Sequence, residues 1–180
     1  HGAGVGFADV GWTGSLPPPP QAVVLFPSGR RPWGYDWHGP SALNVFHALR
    51  ALDALLPELT AGGVPGANLS RLLITGHSMG GAGCWYLATH YPDLALGAAC
   101  AAGFLSLQKY VPVWPRLSTS HTDAFLRAVL DASVASYESD LHLSNLVGVP
   151  VLARYGSADT NVPPWHSKRA ARVLAEWAGS

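Results

Sequence analysis

Charge is what this sequence has least of. Lysine and arginine number 11, aspartate and glutamate 11, so charged side chains make up 12% of 180 residues and cancel. Without a basic excess there is no electrostatic footprint for nucleic acid or an anionic membrane surface, and neither is expected as a partner. Long apolar runs are missing too, none reaching the ~18 residues that a membrane span needs. Cysteine is nearly absent: Cys84 and Cys100 lie in apolar stretches and read as buried free thiols, with a single disulfide as the alternative. There is no His-Glu-x-x-His and no Cys-x-x-Cys. His38, His47, His90, His121 and His142 keep no metal-ligand spacing, so neither a metal nor a cofactor is expected. The opening His1-Gly2-Ala3-Gly4 offers neither Met nor a leader, and the chain is expected to be a piece of something longer. The sequon Asn68-Leu69-Ser70 does not by itself decide the compartment.

What is present is apolar. A hydrophobic content of 48% with so few charges fits one well-buried α/β domain over residues 1–180 and argues against disorder. Residues 1–21 are rich in Gly and Pro and read as loop. Short continuous apolar runs at Ala22–Pro27, Leu69–Thr75, Leu94–Ala102 and Val149–Tyr155 predict strands, the first two buried on both faces. Between them, Leu43, Phe46, Leu49 and Leu52 mark a helix over Ser41–Leu56, with Ser41 as its cap. Met79–His90 predicts a Gly- and Ala-rich helix, and Trp165–Ala178 an amphipathic one with Ala170, Val173, Leu174 and Trp177 on one face. Residues 104–146 are more polar, contain a helical stretch over Thr122–Ser136, and read as an excursion bordering a site. Strands alternating with helices predict a three-layer αβα sandwich around a mainly parallel sheet.

The chemistry centres on Gly76-His77-Ser78-Met79-Gly80, set between a strand and a helix. A serine on so sharp a turn has strained backbone angles and projects its hydroxyl above the sheet. Side chains two residues to either side would strike backbone, which explains Gly76 and Gly80. The helix that follows aims its N–H groups and positive dipole end at a developing oxyanion, with the Met79 N–H as first donor. A second donor in such sites comes from a His-Gly-x-Gly loop, and His1-Gly2-Ala3-Gly4 offers the Gly2 and Ala3 N–H groups. A carboxylate is expected next, just beyond a strand end, and Asp159 meets that condition better than Glu138 or Asp140. His166, at the start of the last helix, is poorly placed to serve as base, and His77 reads as a pocket wall. The base is expected outside these residues. The loop carrying Trp33, Tyr35 and Trp37 is a candidate aromatic wall for an acyl or proline-like group, as are Tyr110 and Trp114 at lower weight.

These residues resemble a known group. Gly76–Gly81, followed by Trp85-Tyr86-Leu87-Ala88 and Tyr91-Pro92-Asp93, is similar to the elbow and first helix of prolyl oligopeptidase-like catalytic domains, α/β-hydrolases with related esterases. Gly156–Pro163, with His166-Ser167 beyond, is similar to that family's acid loop. The resemblance implies a serine hydrolase acting on peptide or small-molecule substrates through a Ser78 acyl-enzyme, with Asp159 as acid and His166 not catalytic. It also implies missing first strands, a missing last strand with its histidine, and an upstream β-propeller or other domain. A carboxylesterase or feruloyl-type esterase shares the machinery, and a non-catalytic scaffold without the triad histidine is the reading from another class.

Overall fold

In a computed structural model the described residues are 1–6, 11, 14, 16, 19, 21–31, 34–111 and 122–179. Three strands, β1 (Leu72–His77), β2 (Ala95–Ala101) and β3 (Val151–Arg154), form a wholly parallel sheet in the order β1-β2-β3. The register aligns His77 with Ala101 and Ala101 with Arg154, so all three strands end at one level. Helix α1 (Pro40–Leu59) precedes the sheet, α2 (Met79–His90) fills the first crossover, the short α3 (Leu107–Tyr110) and α4 (Ala124–Ala135) lie in the second, and α5 (Trp165–Ala178) follows β3.

Strand alternation divides the sheet into unequal faces. Ile74, Ala98, Cys100, Val151 and Ala153 point into the main core, where α2 brings Trp85 and Ala88 and α5 brings Ala170, Val173 and Leu174. Leu105, Leu143 and Leu146, from the stretch between β2 and β3, close it. The opposite face carries Leu73 and Leu152, which are 70% and 63% exposed, so β1 is covered on one side rather than two. Among the described residues the two helices that pack on the strands, α2 and α5, therefore share one face of the sheet.

The sulfurs of Cys84 on α2 and Cys100 on β2 are joined in a disulfide, not left as free thiols. Their Cα atoms are 5.6 Å apart, ordinary spacing for such a bridge. The pairing follows from the close approach of α2 to the sheet, which 16 residues of sequence separation could not reveal.

Other expectations need correcting. Ala22–Pro27 forms no strand, and Val23 is 52% exposed. A strand exists only through ladder bonds to a neighbour, and among the described residues β1 pairs with β2 alone. Helix α1 begins at Pro40 with Gly39 as its cap, while Ser41 is buried with its Oγ accepting the Arg30 N–H. Its inner stripe runs through Ala42, Val45 and Leu56, and Leu43 faces out. On α5 the inner face is His166, Ala170, Val173 and Leu174, leaving Trp177 exposed beyond it.

Candidate active site

The parallel register brings three strand ends to one edge, the place where open α/β sheets carry their chemistry. At the end of β1, Ser78 has φ 58° and ψ −123°, outside the ordinary regions for a residue with a side chain. It holds this geometry because its N–H donates to the Ala101 carbonyl at 2.9 Å while its own carbonyl accepts from the Ala82 N–H at 3.0 Å. Strand and helix thus each grip one end of the residue. The hydroxyl makes no capping bond to α2 and no other hydrogen bond among the described residues.

The glycines around it are there for space. A Cβ on Gly76 would overlap the carbonyl oxygen of Gly80, and one on Gly80 would lie 2.7 Å from the carbonyl oxygen of His1. The second contact also places the N-terminal segment: His1–Gly4 runs directly over the start of α2. A Cβ on Gly2 would be 3.6 Å from that of Ser78, while Ala3 packs on the cluster of Met79, Trp37 and Val45. Gly2, Ala3, Ser78 and Met79 are therefore brought together. Met79 supplies the first N–H of α2, one of the four that a helix leaves without an internal partner.

Trp37 is not an outward-facing wall. It is 3% exposed, and its indole N–H donates to the His1 carbonyl at 3.3 Å while the His1 ring meets it edge-on. Successive positive φ values at Tyr35, Asp36 and Trp37 (48°, 53° and 64°) turn the loop back and drive the indole into the core. Tyr35 stays 57% exposed, whereas Trp33 and Trp114 lie outside the described residues. His77 is exposed on the uncovered face of the sheet, with Leu73 and Thr75.

Across β2, the loop after β3 presents Asp159. One of its oxygens, Oδ1, accepts the Asn161 and Val162 N–H groups at 2.9 and 3.0 Å, which fixes the carboxylate. The other takes no hydrogen bond among the described residues. Val162 packs with Phe104 and Ala82, and Tyr110 stacks on Phe104 with ring centroids 4.4 Å apart. Burial, and then the negative charges of Asp36 and Asp159, hold the Tyr110 phenol above its ordinary range. The segment after β2 thus borders Asp159, and Tyr110 is the aromatic that approaches it.

The rival carboxylates have structural work. Asp140, with a side chain 2% exposed, is held by Lys109 Nζ at 2.6 Å and Arg169 at 3.3 Å, tying α3 to α5. Glu138 accepts the Gln108 N–H at 3.1 Å. His166 is likewise committed. It is 1% exposed, its Nδ1 accepts the Leu105 N–H at 3.2 Å, and burial pushes its pKa down to about 4. Ala102, absent from the residues that the sequence singles out, follows β2 with φ 47° and donates its N–H to the Arg154 carbonyl. The small run Ala101-Ala102-Gly103 was its only signal.

Among the described residues no three His, Cys, Asp or Glu side chains converge where a metal ion could be held. No helix among them is long and apolar enough to cross a membrane. An apolar groove of about 390 Å³ between α5 and β3, lined by Leu146, Val151, Ala153 and Leu174, lies away from the elbow.

The sequence pattern of the prolyl oligopeptidase family matches residues 62–179, a span that includes Ser78 and Asp159 and leaves out Gly2 and Ala3. An uncharacterized secreted protein of Arthroderma benhamiae is 36% identical over 158 residues, which cover 86% of this chain and 16% of that protein. The chain spans about a sixth of the length of this curated relative.

Proposed function

This chain belongs to the prolyl oligopeptidase family, and from that premise we propose that it carries the nucleophile and the acid of a serine hydrolase that cleaves peptide bonds. The reading rests on the elbow: a serine at φ 58° between β1 and α2, whose hydroxyl makes no capping bond to the helix. Ser78 Oγ attacks the carbonyl carbon of the substrate and gives its proton to an imidazole; the tetrahedral adduct then collapses to an acyl-enzyme as the C–N bond breaks and the departing amine takes that proton from the imidazolium. Water then releases the acyl group by the reverse path. Asp159, with one oxygen anchored to the 161–162 backbone and one unengaged, orients that imidazole and stabilises its charged form. We assign the imidazole to a histidine outside the described residues, since His166 is buried and bonded to Leu105.

The oxyanion is held by the Met79 N–H, aided by the dipole of α2, and by the backbone of Gly2 or Ala3. Each such donor is worth roughly 10²- to 10³-fold in rate. Esters pass through the same intermediate, so a carboxylesterase would use the same residues, and the preference for peptides comes from the family. The disulfide, together with a relative described as secreted, favours an oxidising extracellular setting.

A fluorophosphonate probe tests the reading on the whole polypeptide that carries this chain. Ser78 is expected to be labelled, and Ser78→Ala to abolish both labelling and turnover. Labelling that survives the substitution sinks the assignment, and a folded protein without labelling favours a non-catalytic scaffold. Comparing kcat/KM on proline-containing peptides and simple aryl esters separates peptidase from esterase.

A further inference from the structure

At the end of β1 opposite Ser78, the chain enters the strand through a tight turn made by Asn68, Leu69 and Ser70. Asn68 Oδ1 accepts two hydrogen bonds from the residue two positions on, from the Ser70 N–H at 3.1 Å and the Ser70 hydroxyl at 2.7 Å. The Asn68 carbonyl accepts the Arg71 N–H at 3.2 Å and closes the turn. Because a backbone N–H can only donate, the first of these bonds fixes which way the amide faces: oxygen inward on Ser70, nitrogen outward. The amide nitrogen has no hydrogen-bond partner among the described residues. Asn68 and Ser70 are exposed and Leu69 is half-buried, which pins the turn to the body of the protein.

We propose that Asn68 is an N-glycosylation site. Three separate observations converge on it. The triplet has the required Asn-x-Ser form with Leu, not Pro, in the middle. The folded turn displays the amide nitrogen to solvent with the serine hydroxyl bonded to the same amide, so a glycan is carried there without disturbing packing. The Cys84–Cys100 disulfide and the secreted relative point to the compartment in which this modification is made. In the reaction the Asn68 amide nitrogen attacks the anomeric carbon of a lipid-diphosphate-linked oligosaccharide, supplied with its transferase by the secretory pathway. A carbon–nitrogen bond replaces the carbon–oxygen bond to the diphosphate, which departs with the electron pair, and the amide proton passes to a base of the transferase.

Position makes the site compatible with hydrolysis. The six residues of β1, at roughly 3.3 Å each, separate the turn from Ser78 by about 20 Å along the strand, on the edge of the sheet away from the chemistry. The glycan therefore shields the entry of β1 and leaves the elbow open. The inference stands apart from the hydrolase reading.

The test uses the whole polypeptide secreted from a eukaryotic host, treated with peptide N-glycosidase and mapped by peptide mass spectrometry. The peptide containing Asn68 is expected to carry one oligosaccharide and to hold aspartate at that position after deglycosylation. Asn68→Gln and Ser70→Ala should each remove that mass, whereas Ser70→Thr, which keeps the acceptor pattern, should retain it. Turnover should stay within about twofold in all three. An unmodified Asn68 in the secreted wild-type protein, or a glycan that persists at position 68 in Ser70→Ala, overturns the proposal.

Discussion

Helices α2 and α4 are each twelve residues long, yet the protein treats them in opposite ways. Nearly all of α2 is buried between the sheet, α1 and the 139–146 stretch, while α4 buries no residue. Hydrophobicity does not separate them, for α4 carries Phe125, Leu126 and Val129, which are 84%, 62% and 66% exposed. Side-chain size does. The Gly and Ala residues at the start of α2 let its backbone come within van der Waals reach of β2 and the loop after it, and only then do Trp85 and Ala88 find a core. Helix α4 is sustained locally: Asp123 caps its first turn through the Phe125 and Leu126 N–H groups, and Arg127 pairs with Asp131 one turn on. One helix is made by its surroundings and the other by its own sequence.

The contrast is most easily broken at Gly81. A Cβ there would overlap the Ala101 carbonyl and come within 2.9 Å of the Gly103 nitrogen, both backbone atoms that cannot swing aside. Gly81→Val should cost more than about 4 kcal/mol and prevent recovery of folded protein; a soluble variant with unchanged unfolding midpoint would mean that the approach is looser than described. Next in size is Trp85→Ala, which empties the fully buried centre of the core. It should lower stability by about 3–5 kcal/mol in chemical unfolding. Replacing Cys84 and Cys100 together by Ala opens a loop of 16 residues and should cost about 3 kcal/mol. If thiol reductant leaves the unfolding midpoint of the wild type unchanged, the bridge contributes nothing.

Acid should loosen the α5 side of the same core. His166 is held near a pKa of about 4 by burial, below the ordinary 6.5. The unfolded chain therefore takes up the proton first: stability is full above pH 6.5 and falls as pH drops from there to about 4. The loss is on the order of 2–3 kcal/mol. His166→Asn should flatten that slope, measured as unfolding midpoint against pH. At the small end, Phe125→Ser or Leu126→Ser on α4 should change stability by no more than about 0.5 kcal/mol. A large loss at either position would show that α4 is packed after all.

Parts of this molecule were legible because their causes are local. The elbow at Ser78 needs only a strand, a helix and glycines where a Cβ has no room. The turn at Asp159 needs only a carboxylate two and three residues before the N–H groups that it accepts. Helix α5 over Trp165–Ala178 and three of the four expected strands follow from helical spacing and short apolar runs, the helix at its expected bounds and the strands with ends shifted by up to three residues. Other features depend on neighbours that lie far off in sequence. Whether Ala22–Pro27 becomes a strand depends on an adjacent strand, which side of α1 turns inward depends on Trp37 and Met79, and the free thiols became a disulfide because α2 settles closely on β2. Trp37 itself looked like a binding surface and proved to be the support beneath His1. Periodicity and steric exclusion act within a few residues, so the sequence alone determined the sharp turn at Ser78 and the order of the three strands and the helices between them. Burial and pairing are set by whichever surface arrives from elsewhere, and only the tertiary structure decided those.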